Sequence, residues 1–400
     1  MVKGRPCLRE DIHVKAESRT PIRVMRIIAR MNVGGPAVQV SGLMRGIDKQ
    51  SFDQRLYTGA CSESEADYLK EVAIDIRSYK IAGLGRSVNL ISDLKALNSM
   101  IWEINSFKPQ IIHTHTAKAG ALGRLASMLS FQDSIRVHTF HGHLLHGYFG
   151  GFKRRLIILA EKFFARYTNQ LLAVGDQVRT DLLEVGIGTR EKFGVMPPGL
   201  VIGNLIEKHE ARSQLGLSLN VLQCAYIGRV TRIKRPDRFL DVVSEIKSRK
   251  LPIEFFIAGD GELSDYCKNR ILNEQLPVKL LGWQSDIEKV LAASDLVILT
   301  SDNEGTPLSL IQAGMAGLPV VSTNVGSISE IVLQDRTGFL TAPNTQSLAD
   351  AVQELCMNPE VREEFGVAAK DFTLKHFGVD RLVSDHQALY KHLLSNRAKS

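Results

Sequence analysis

The stretch Leu296–Val332, LVILTSDNEGTPLSLIQAGMAGLPVVSTNVGSISEIV, constrains this chain more than any other. It opens with an apolar run, Leu296 to Leu299, of a length that suits a buried strand. A polar turn follows from Thr300 to Gly305. Pro307 then stands where a first helical turn begins, a position its fixed φ suits. The helix is expected to run to about Ala316 and to stop at Gly317. A second apolar strand is expected from Pro319 to Ser322, and Gly326 bends the chain again. Backbone N–H groups near Gly305, Thr306 and Leu308 have no partner inside such a helix, so they attract a phosphate or a sugar hydroxyl. Glu304 stands beside them. A carboxylate there repels phosphate but accepts hydrogen bonds from hydroxyls. The pair suits a ligand with a sugar at one end and a diphosphate at the other.

Units of the same kind recur along the chain. Arg23 to Ala29 reads as a strand. It ends in Asn32-Val33-Gly34-Gly35-Pro36, where the glycines let the backbone turn tightly and approach a ligand. A helix is expected from Ala37 to Ile47. The full G-x-G-x-x-G spacing of a dinucleotide loop is absent. Strand and helix then alternate over Gln54–Thr58, Ala66–Val72, Ile74–Ser78 and Val88–Asn105, which implies βαβ units and a mostly parallel sheet. Two further strands, Gln110–His113 and Ile135–Phe140, each end in a histidine-rich loop. The first holds His113, His115 and Lys118; the second holds His141, His143 and His146. Ligands of open α/β sheets bind outside the carboxyl ends of strands, so both loops are candidates. Neither has an HExxH pair or adjacent carboxylates, and no metal site is expected.

Gly150 to Tyr167 reads as a basic amphipathic helix. Leu156, Leu159, Ala160, Phe163 and Phe164 are expected to pack on the core; the competing reading lays the helix on an anionic membrane. Leu171–Val174 and Gly175–Val185 form another strand and helix, and Val195-Met196-Pro197-Pro198-Gly199 closes a first domain. The polar segment Val201 to Leu219 reads as a linker. A second domain starts with the strand Val221–Ile227. Its following loop, Gly228 to Pro236, holds Arg229, Arg232, Lys234 and Arg235, donors suited to a departing phosphate. Strands Ile253–Ala258 and Val278–Leu281 and the helix Ile287–Ala293 follow, and the Leu296 stretch is expected to complete the sheet. Helices are expected at Asp350–Cys356, Glu363–Lys375 and Val379–Leu394.

Composition narrows the class. A length of 400 residues suits two or three domains. Five cysteines without a CxxC pair argue against a disulfide framework and fit a reducing cytosol. No apolar run is long enough for a membrane span. The first 20 residues lack an apolar core and read as a loose tail, not a signal peptide. Net charge is +7, but the basic residues are dispersed and no RNA-binding aromatic motif occurs, so nucleic acid is not expected as a partner.

Several of these segments carry a resemblance. Glu304-Gly305-Thr306-Pro307, Ile311-Gln312-Ala313, Gly317-Leu318-Pro319-Val320-Val321 and Glu330-Ile331-Val332 resemble the E-x7-E region of family 4 glycosyltransferases, enzymes of the GT-B fold. Val137-His138-Thr139-Phe140-His141-Gly142 resembles the segment that carries the family's active-site histidine, and His141 is the matching position. The resemblance spans nearly everything from about Ile22 to Leu394. It implies an α/β GT-B architecture, two Rossmann-like domains facing an interdomain cleft. The expected divisions are a tail at 1–21, an acceptor-side domain at 22–200, a nucleotide-sugar-binding domain at 201–378, and a terminal helix at 379–400 that returns to the first domain.

The activity it implies is metal-independent, retaining transfer of a sugar from a nucleotide-sugar, most often a UDP-sugar, to a hydroxyl. The histidine loops resemble those of bacterial surface-polysaccharide transferases, which implies a polyprenyl-linked or saccharide acceptor. The expected location is cytoplasmic, with peripheral contact on the cytoplasmic face of the membrane. No cofactor is expected; the nucleotide-sugar is a substrate. By the same resemblance His141, Glu304, Arg229 and Lys234 are expected in catalysis. Gly34, Gly35, Gly228, Gly305, Thr306, Pro307, Leu308 and Gln312 are expected to hold the donor. His113, His115 and Lys118 are expected on the acceptor side. Two departures stand out. The second Glu of the pattern is Gln312, and Gly314 sits inside a helix, where it costs about 1 kcal/mol relative to Ala. Three rivals remain from the sequence: a GT-B sugar-nucleotide epimerase, a non-catalytic partner subunit of another transferase, and a dinucleotide oxidoreductase, which the glycines support poorly.

Overall fold

In the computed structural model the described residues are 20–62, 65–85, 88–142 and 151–398, with the side chains of 151–153 excepted. The first domain is built from β1 (Ile22–Ile28), α1 (Gly35–Gly46), β2 (Phe52–Thr58), α2 (Tyr68–Glu71), β3 (Ser78–Lys80), α3 (Leu90–Phe107) and β4 (Ile111–His115). It continues with α4 (Ala117–Leu129), β5 (Ile135–Phe140), α5 (Gly151–Arg166), β6 (Gln170–Ala173), α6 (Asp176–Glu184) and β7 (Phe193–Val195). Its strands form one seven-stranded sheet in the order β3-β2-β1-β4-β5-β6-β7. Every pairing is parallel. Strands covered by helices on both faces read as near-continuous apolar runs, as IRVMRII of β1 does.

The second domain repeats the plan. It holds α7 (Lys208–Leu215), β8 (Leu222–Ile227), α8 (Pro236–Ser248), β9 (Ile253–Ala258), α9 (Ser264–Glu274), β10 (Val278–Gly282), α10 (Ile287–Ala293) and β11 (Leu296–Leu299). Then come α11 (Leu308–Met315), β12 (Val320–Thr323), β13 (Gly338–Thr341), α12 (Thr345–Met357) and α13 (Pro359–Phe377). Its six-stranded parallel sheet has the order β10-β9-β8-β11-β12-β13. The strand order reverses beside β1 and β4 in one domain and beside β8 and β11 in the other. Such switch points are where doubly wound sheets bind ligands.

Four expectations need correction. The segment Val201–Leu219 is not all linker, because α7 forms within it behind a Glu207 cap that accepts from the N–H groups of His209 and Glu210. The third strand is Ser78–Lys80 rather than Ile74–Ser78, and Ile74 is exposed. The Leu296 stretch does not complete its sheet; β13 does, pairing with β12. In α5, Leu156, Leu159 and Phe163 are exposed, while Phe164 and Ala165 are buried. The helix is anchored through Glu161, whose two almost fully buried carboxylate oxygens both accept from Arg124 Nη2 of α4, at 2.9 and 2.7 Å. Breaking such a pair costs about 3–5 kcal/mol.

Gly314 has a packing reason. A Cβ there would lie 2.5 Å from Thr373 Cγ2, so its absence lets α11 press against α13. After α13 the chain recrosses as α14 (Val379–Arg397), which packs on α1 of the first domain. The two crossings run side by side: Leu200 N–H donates to Phe377 C=O at 2.8 Å, and Val379 N–H donates to Leu200 C=O at 3.0 Å. Arg381 grips both Pro197 and Pro198 carbonyls, at 2.7 and 2.9 Å.

Candidate active site

The second-domain half of the site lies at the carboxyl ends of β8 and β11. The basic loop after β8 is held from below: Tyr226 Oη donates toward the Arg229 and Lys234 carbonyls, and Thr300 Oγ1 reaches those of Lys234 and Arg235. Arg235 is committed elsewhere, to Asp237 and Asp302, and Arg238 also binds Asp302. Of the four basic residues in this loop, Arg235 therefore clamps two loops together. Arg229 stays exposed with no ion pair among the described residues. Lys234 Nζ lies 2.5 Å from Glu304 Oε1, and Ser301 Oγ donates to the same oxygen at 2.5 Å. Ser301 is fixed in turn by Thr323, whose hydroxyl donates to its carbonyl at 2.7 Å.

Glu304 is positioned by a backbone contact that only glycine permits. Gly326 has φ +56°, and a Cβ on it would fall 1.8 Å from the Glu304 carbonyl oxygen. Ser327 N–H donates to that same carbonyl at 3.2 Å. The helix start differs by one residue from expectation: Pro307 is the N-cap and α11 begins at Leu308. No side chain caps this end and no acidic residue lies in its first turn, so its N–H groups remain available to an anion. Gln312 sits one turn after Leu308, half-buried, and forms no side-chain hydrogen bond among the described residues. Gly228 lies at the head of the basic loop, where a Cβ would come 3.9 Å from Lys234 Cε.

The first domain closes on this surface. A Cβ on Gly305 would lie 3.1 Å from Gly142 Cα and 3.6 Å from the His141 carbonyl, so the two loops meet backbone to backbone. Gly34 caps α1 and Gly35 opens it. A Cβ on Gly35 would sit 3.7 Å from Leu308 Cδ1. The Thr306 hydroxyl donates to the Val174 carbonyl at 3.2 Å, a bridge between domains that the sequence reading did not foresee. Glu330, also unforeseen as a contact, spans the same cleft. Its carboxylate accepts from the N–H groups of Asp176 and Gln177 at the start of α6, at 2.8 and 2.9 Å.

The histidines fall into place differently from expectation. His113 and His115 belong to strand β4 and not to a loop, and neither has any exposed surface. Both are taken up by protein partners, so direct contact of either with an acceptor is corrected. His113 bonds Tyr390 of α14 and Thr139, at 2.6 and 2.7 Å. His115 Nδ1 lies 2.9 Å from His141 Nε2. Arg26 of β1, fully buried, stands between them, at 3.3 Å from His113 Nδ1 and 3.1 Å from His115 Nε2. A guanidinium among these rings, instead of a carboxylate, is the wrong charge for a metal site. Lys118, in the first turn of α4, pairs with Asp93 at 2.6 Å. His143 and His146 lie outside the described residues.

Burial makes these imidazoles poor bases. It holds His113 and His115 well below the usual range, with Arg26 reinforcing the effect at His113 and His113 doing so at His115. Burial alone pushes His141 down to about 3. At neutral pH His141 is therefore a neutral ring, in the loop whose backbone meets Gly305.

Two facing Rossmann-like domains, a cationic loop, an open helix start and a histidine loop across the cleft define a GT-B glycosyltransferase. Residues 207–372 match the family model "Glycosyl transferases group 1", and residues 34–199 match "Glycosyl transferase 4-like domain". The chain belongs to this family. It is 30% identical, over 77% of its length and 83% of the relative's, to UDP-Gal:alpha-D-GlcNAc-diphosphoundecaprenol alpha-1,3-galactosyltransferase of Escherichia coli. It is 24% identical, over 88% of its length and 94% of the relative's, to the capsular polysaccharide biosynthesis glycosyltransferase CapM of Staphylococcus aureus. Among solved structures, Anabaena Alr3699/HepE in complex with UDP and glucose shares the fold, with a TM-score of 0.78 and 19% identity over 92% of this chain and 99% of that one.

Proposed function

We propose that this protein is a hexosyltransferase that moves a sugar from a UDP-sugar to a hydroxyl of a lipid-diphosphate-linked saccharide, with retention and without a metal, in surface-polysaccharide assembly. The observation that carries the reading is the Lys234–Glu304 pair at the β8 and β11 ends, facing the His141 loop. Lys234, Arg229 and the start of α11 supply positive potential where a diphosphate leaves, which is the charge stabilisation that a metal provides elsewhere. When the donor binds, Lys234 exchanges Glu304 for phosphate oxygens. Glu304 then accepts from sugar hydroxyls beside its bond from Ser301. Gln312 faces the ribose, with one carbonyl in place of a carboxylate. Retention is assigned to front-face attack: the acceptor oxygen bonds the anomeric carbon as the bond to the diphosphate breaks, and the acceptor proton passes to the leaving phosphate.

The choice of uridine is supported by the relatives, since the E. coli enzyme is named for UDP-Gal and the Anabaena structure holds UDP. The lipid-linked acceptor is supported by the diphosphoundecaprenol in the E. coli name. No helix among the described residues is long and apolar enough to cross a membrane. A lipid-borne acceptor therefore calls for surface contact, and α5, with exposed Leu156, Leu159 and Phe163 beside Arg155 and Arg166, is the candidate on the cytoplasmic face.

The test is incubation with radiolabelled UDP-hexoses, and with GDP- and dTDP-sugars as controls, with and without a synthetic GlcNAc-diphosphate-lipid. Label from a UDP-hexose moving into the organic phase, with the donor's anomeric configuration in the product, is the expected result. Epimerised donor without transfer would establish the epimerase instead, and silence with every donor would make the chain a partner subunit.

A further inference from the structure

We propose that Arg26 is a positioning residue for the transfer site: acting through His115, it fixes His141 as a neutral ring with its hydrogen on Nδ1, so that His141 meets substrate as a hydrogen-bond donor and not as a proton acceptor. The inference rests on His141 meeting substrate in the cleft, as the proposed function has it.

The argument is one of hydrogen counting. A guanidinium only donates. Arg26 Nη1 points one N–H at His113 Nδ1 and one at His115 Nε2, at 3.3 and 3.1 Å, so both ring atoms must offer lone pairs. A neutral His115 whose Nε2 accepts carries its hydrogen on Nδ1. That hydrogen goes to His141 Nε2 at 2.9 Å. His141 Nε2 is thereby an acceptor, and the hydrogen of His141 is left on Nδ1. No bond to that Nδ1 is formed among the described residues, and His141 as a whole is half-buried.

The other side of the network is counted in the same way, and it leaves the buried Arg26 Nε–H without a partner among the described residues. Arg26 Nη2 donates to Tyr390 Oη at 3.1 Å and to Gln54 Oε1 at 3.4 Å. His113 Nδ1 has a single lone pair, which Tyr390 Oη takes at 2.6 Å and Arg26 Nη1 shares at the longer 3.3 Å, while His113 Nε2–H donates to Thr139 Oγ1 at 2.7 Å. Gln54 spends its amide hydrogens on the Leu43 and Met44 carbonyls. Protonating His115 would set donor against donor and cation beside cation in a buried place. Protonating His141 at Nε2 would oppose the His115 hydrogen. No carboxylate pairs with Arg26 among the described residues, and a buried charge without one costs stability that an apolar side chain here would not. The fixed ring orientation and hydrogen position of His141 are what that cost maintains. Burial of the rings, already noted, acts in the same direction.

The experiment reads hydrogen positions directly. Protein labelled with 15N-histidine is examined by two-bond proton–nitrogen correlation at pH 7, with His141 and His115 assigned by substitution. Wild type is expected to show hydrogen on Nδ1 alone at His115 and His141, and on Nε2 alone at His113. Arg26→Met is expected to leave His141 in mixed forms and to lower kcat on the order of tenfold to a hundredfold, as misplacing a positioned group does, with donor KM little changed. Arg26→Lys, which keeps a donor, is expected to recover part of both. His115→Gln keeps an acceptor for Arg26 and a donor for His141 and is expected to hold the Nδ1 form; His115→Leu is expected to lose it. These two variants decide the matter should Arg26→Met not fold. Hydrogen on His141 Nε2 or a doubly protonated ring in wild type would overturn the proposal, as would an unchanged His141 spectrum in both Arg26→Met and His115→Leu. The spectrum does not depend on turnover, so inactivity with every donor would remove the transfer reading alone.

Discussion

Glu304 holds Lys234 at 2.5 Å across the mouth of the second domain's switch point, before any substrate is present. The pair is nearly buried, with side chains 10% and 14% exposed. Each partner thus keeps the other's charge covered until a ligand supplies replacements: phosphate oxygens for the ammonium, sugar hydroxyls for the carboxylate.

Removing either cationic side chain should therefore strike the leaving-group step. Lys234→Ala and Arg229→Ala are each expected to lower turnover about 100-fold or more, since one lost transition-state donor costs roughly 3 kcal/mol. Nucleoside diphosphate should bind more weakly to both. Steady-state kinetics and calorimetry measure the two effects, and unchanged values in both variants would take these residues out of the site.

Gln312 separates affinity from chemistry. Gln312→Glu should be tolerated, because a carboxylate accepts from both ribose hydroxyls. Gln312→Ala should cost about 1 kcal/mol, chiefly in donor KM. Glu304→Ala should instead depress kcat. A Gln312→Ala enzyme with wild-type KM and no turnover would move this residue into the chemistry.

The Glu330 carboxylate caps α6 from the other domain, so it acts as a latch. Glu330→Ala should weaken the closed arrangement by roughly 0.5–2 kcal/mol, the range for a lost helix cap. The radius of gyration in solution scattering, without donor, should increase relative to wild type. An identical scattering curve would show that the latch does not govern closure.

Contact of α5 with anionic lipid should be electrostatic in part. Binding to acidic liposomes should fall as salt rises, and Arg154→Glu with Arg155→Glu should release the protein. Sedimentation with vesicles tests this, and equal binding by wild type and the double variant would clear α5 of the role.

The buried histidines make stability pH-dependent. His386, fully buried, is held at about 3 by burial and by Arg26. The unfolded ring takes up a proton near pH 6.5 and the folded ring does not, so its contribution is complete above 6.5 and falls as pH drops toward 3. At pH 5 the loss is about 2 kcal/mol for this residue. His113, His115 and His138, also depressed by burial, add in the same direction. Denaturant midpoints at pH 7.5 and pH 5 should show a clear drop. Equal midpoints would mean that the cluster is protonated when folded.

The second-domain site was legible because its information is local. Strand, polar turn, proline, helix and glycine lie within one continuous segment, and each end signal acts on its neighbours. The role of His113 and His115 was not. Two polar residues at a strand end look like loop residues, but His113 is covered by Tyr390 and His386, far along the chain on α14, and His115 lies against His113 and His141. Arg26 left a faint sign as one of two arginines inside IRVMRII, but nothing nearby in sequence names its acceptors. Helix α7 escaped for another reason. KHEARSQL buries only Ala211 and Arg212, too little apolar surface to set a period, and only Glu207 marks its start.

The return of α14 changes how the chain must be made. The first domain is two stretches separated by a whole second domain, and the helix that supplies Tyr390 is synthesised after that second domain. Until it emerges from the ribosome, Arg26 and the two histidines beside it face an open groove where α14 will lie. The first-domain sheet lacks its α14 contacts for as long as the second domain is being translated. Docking of α14 closes that groove by laying Tyr390 and His386 against His113.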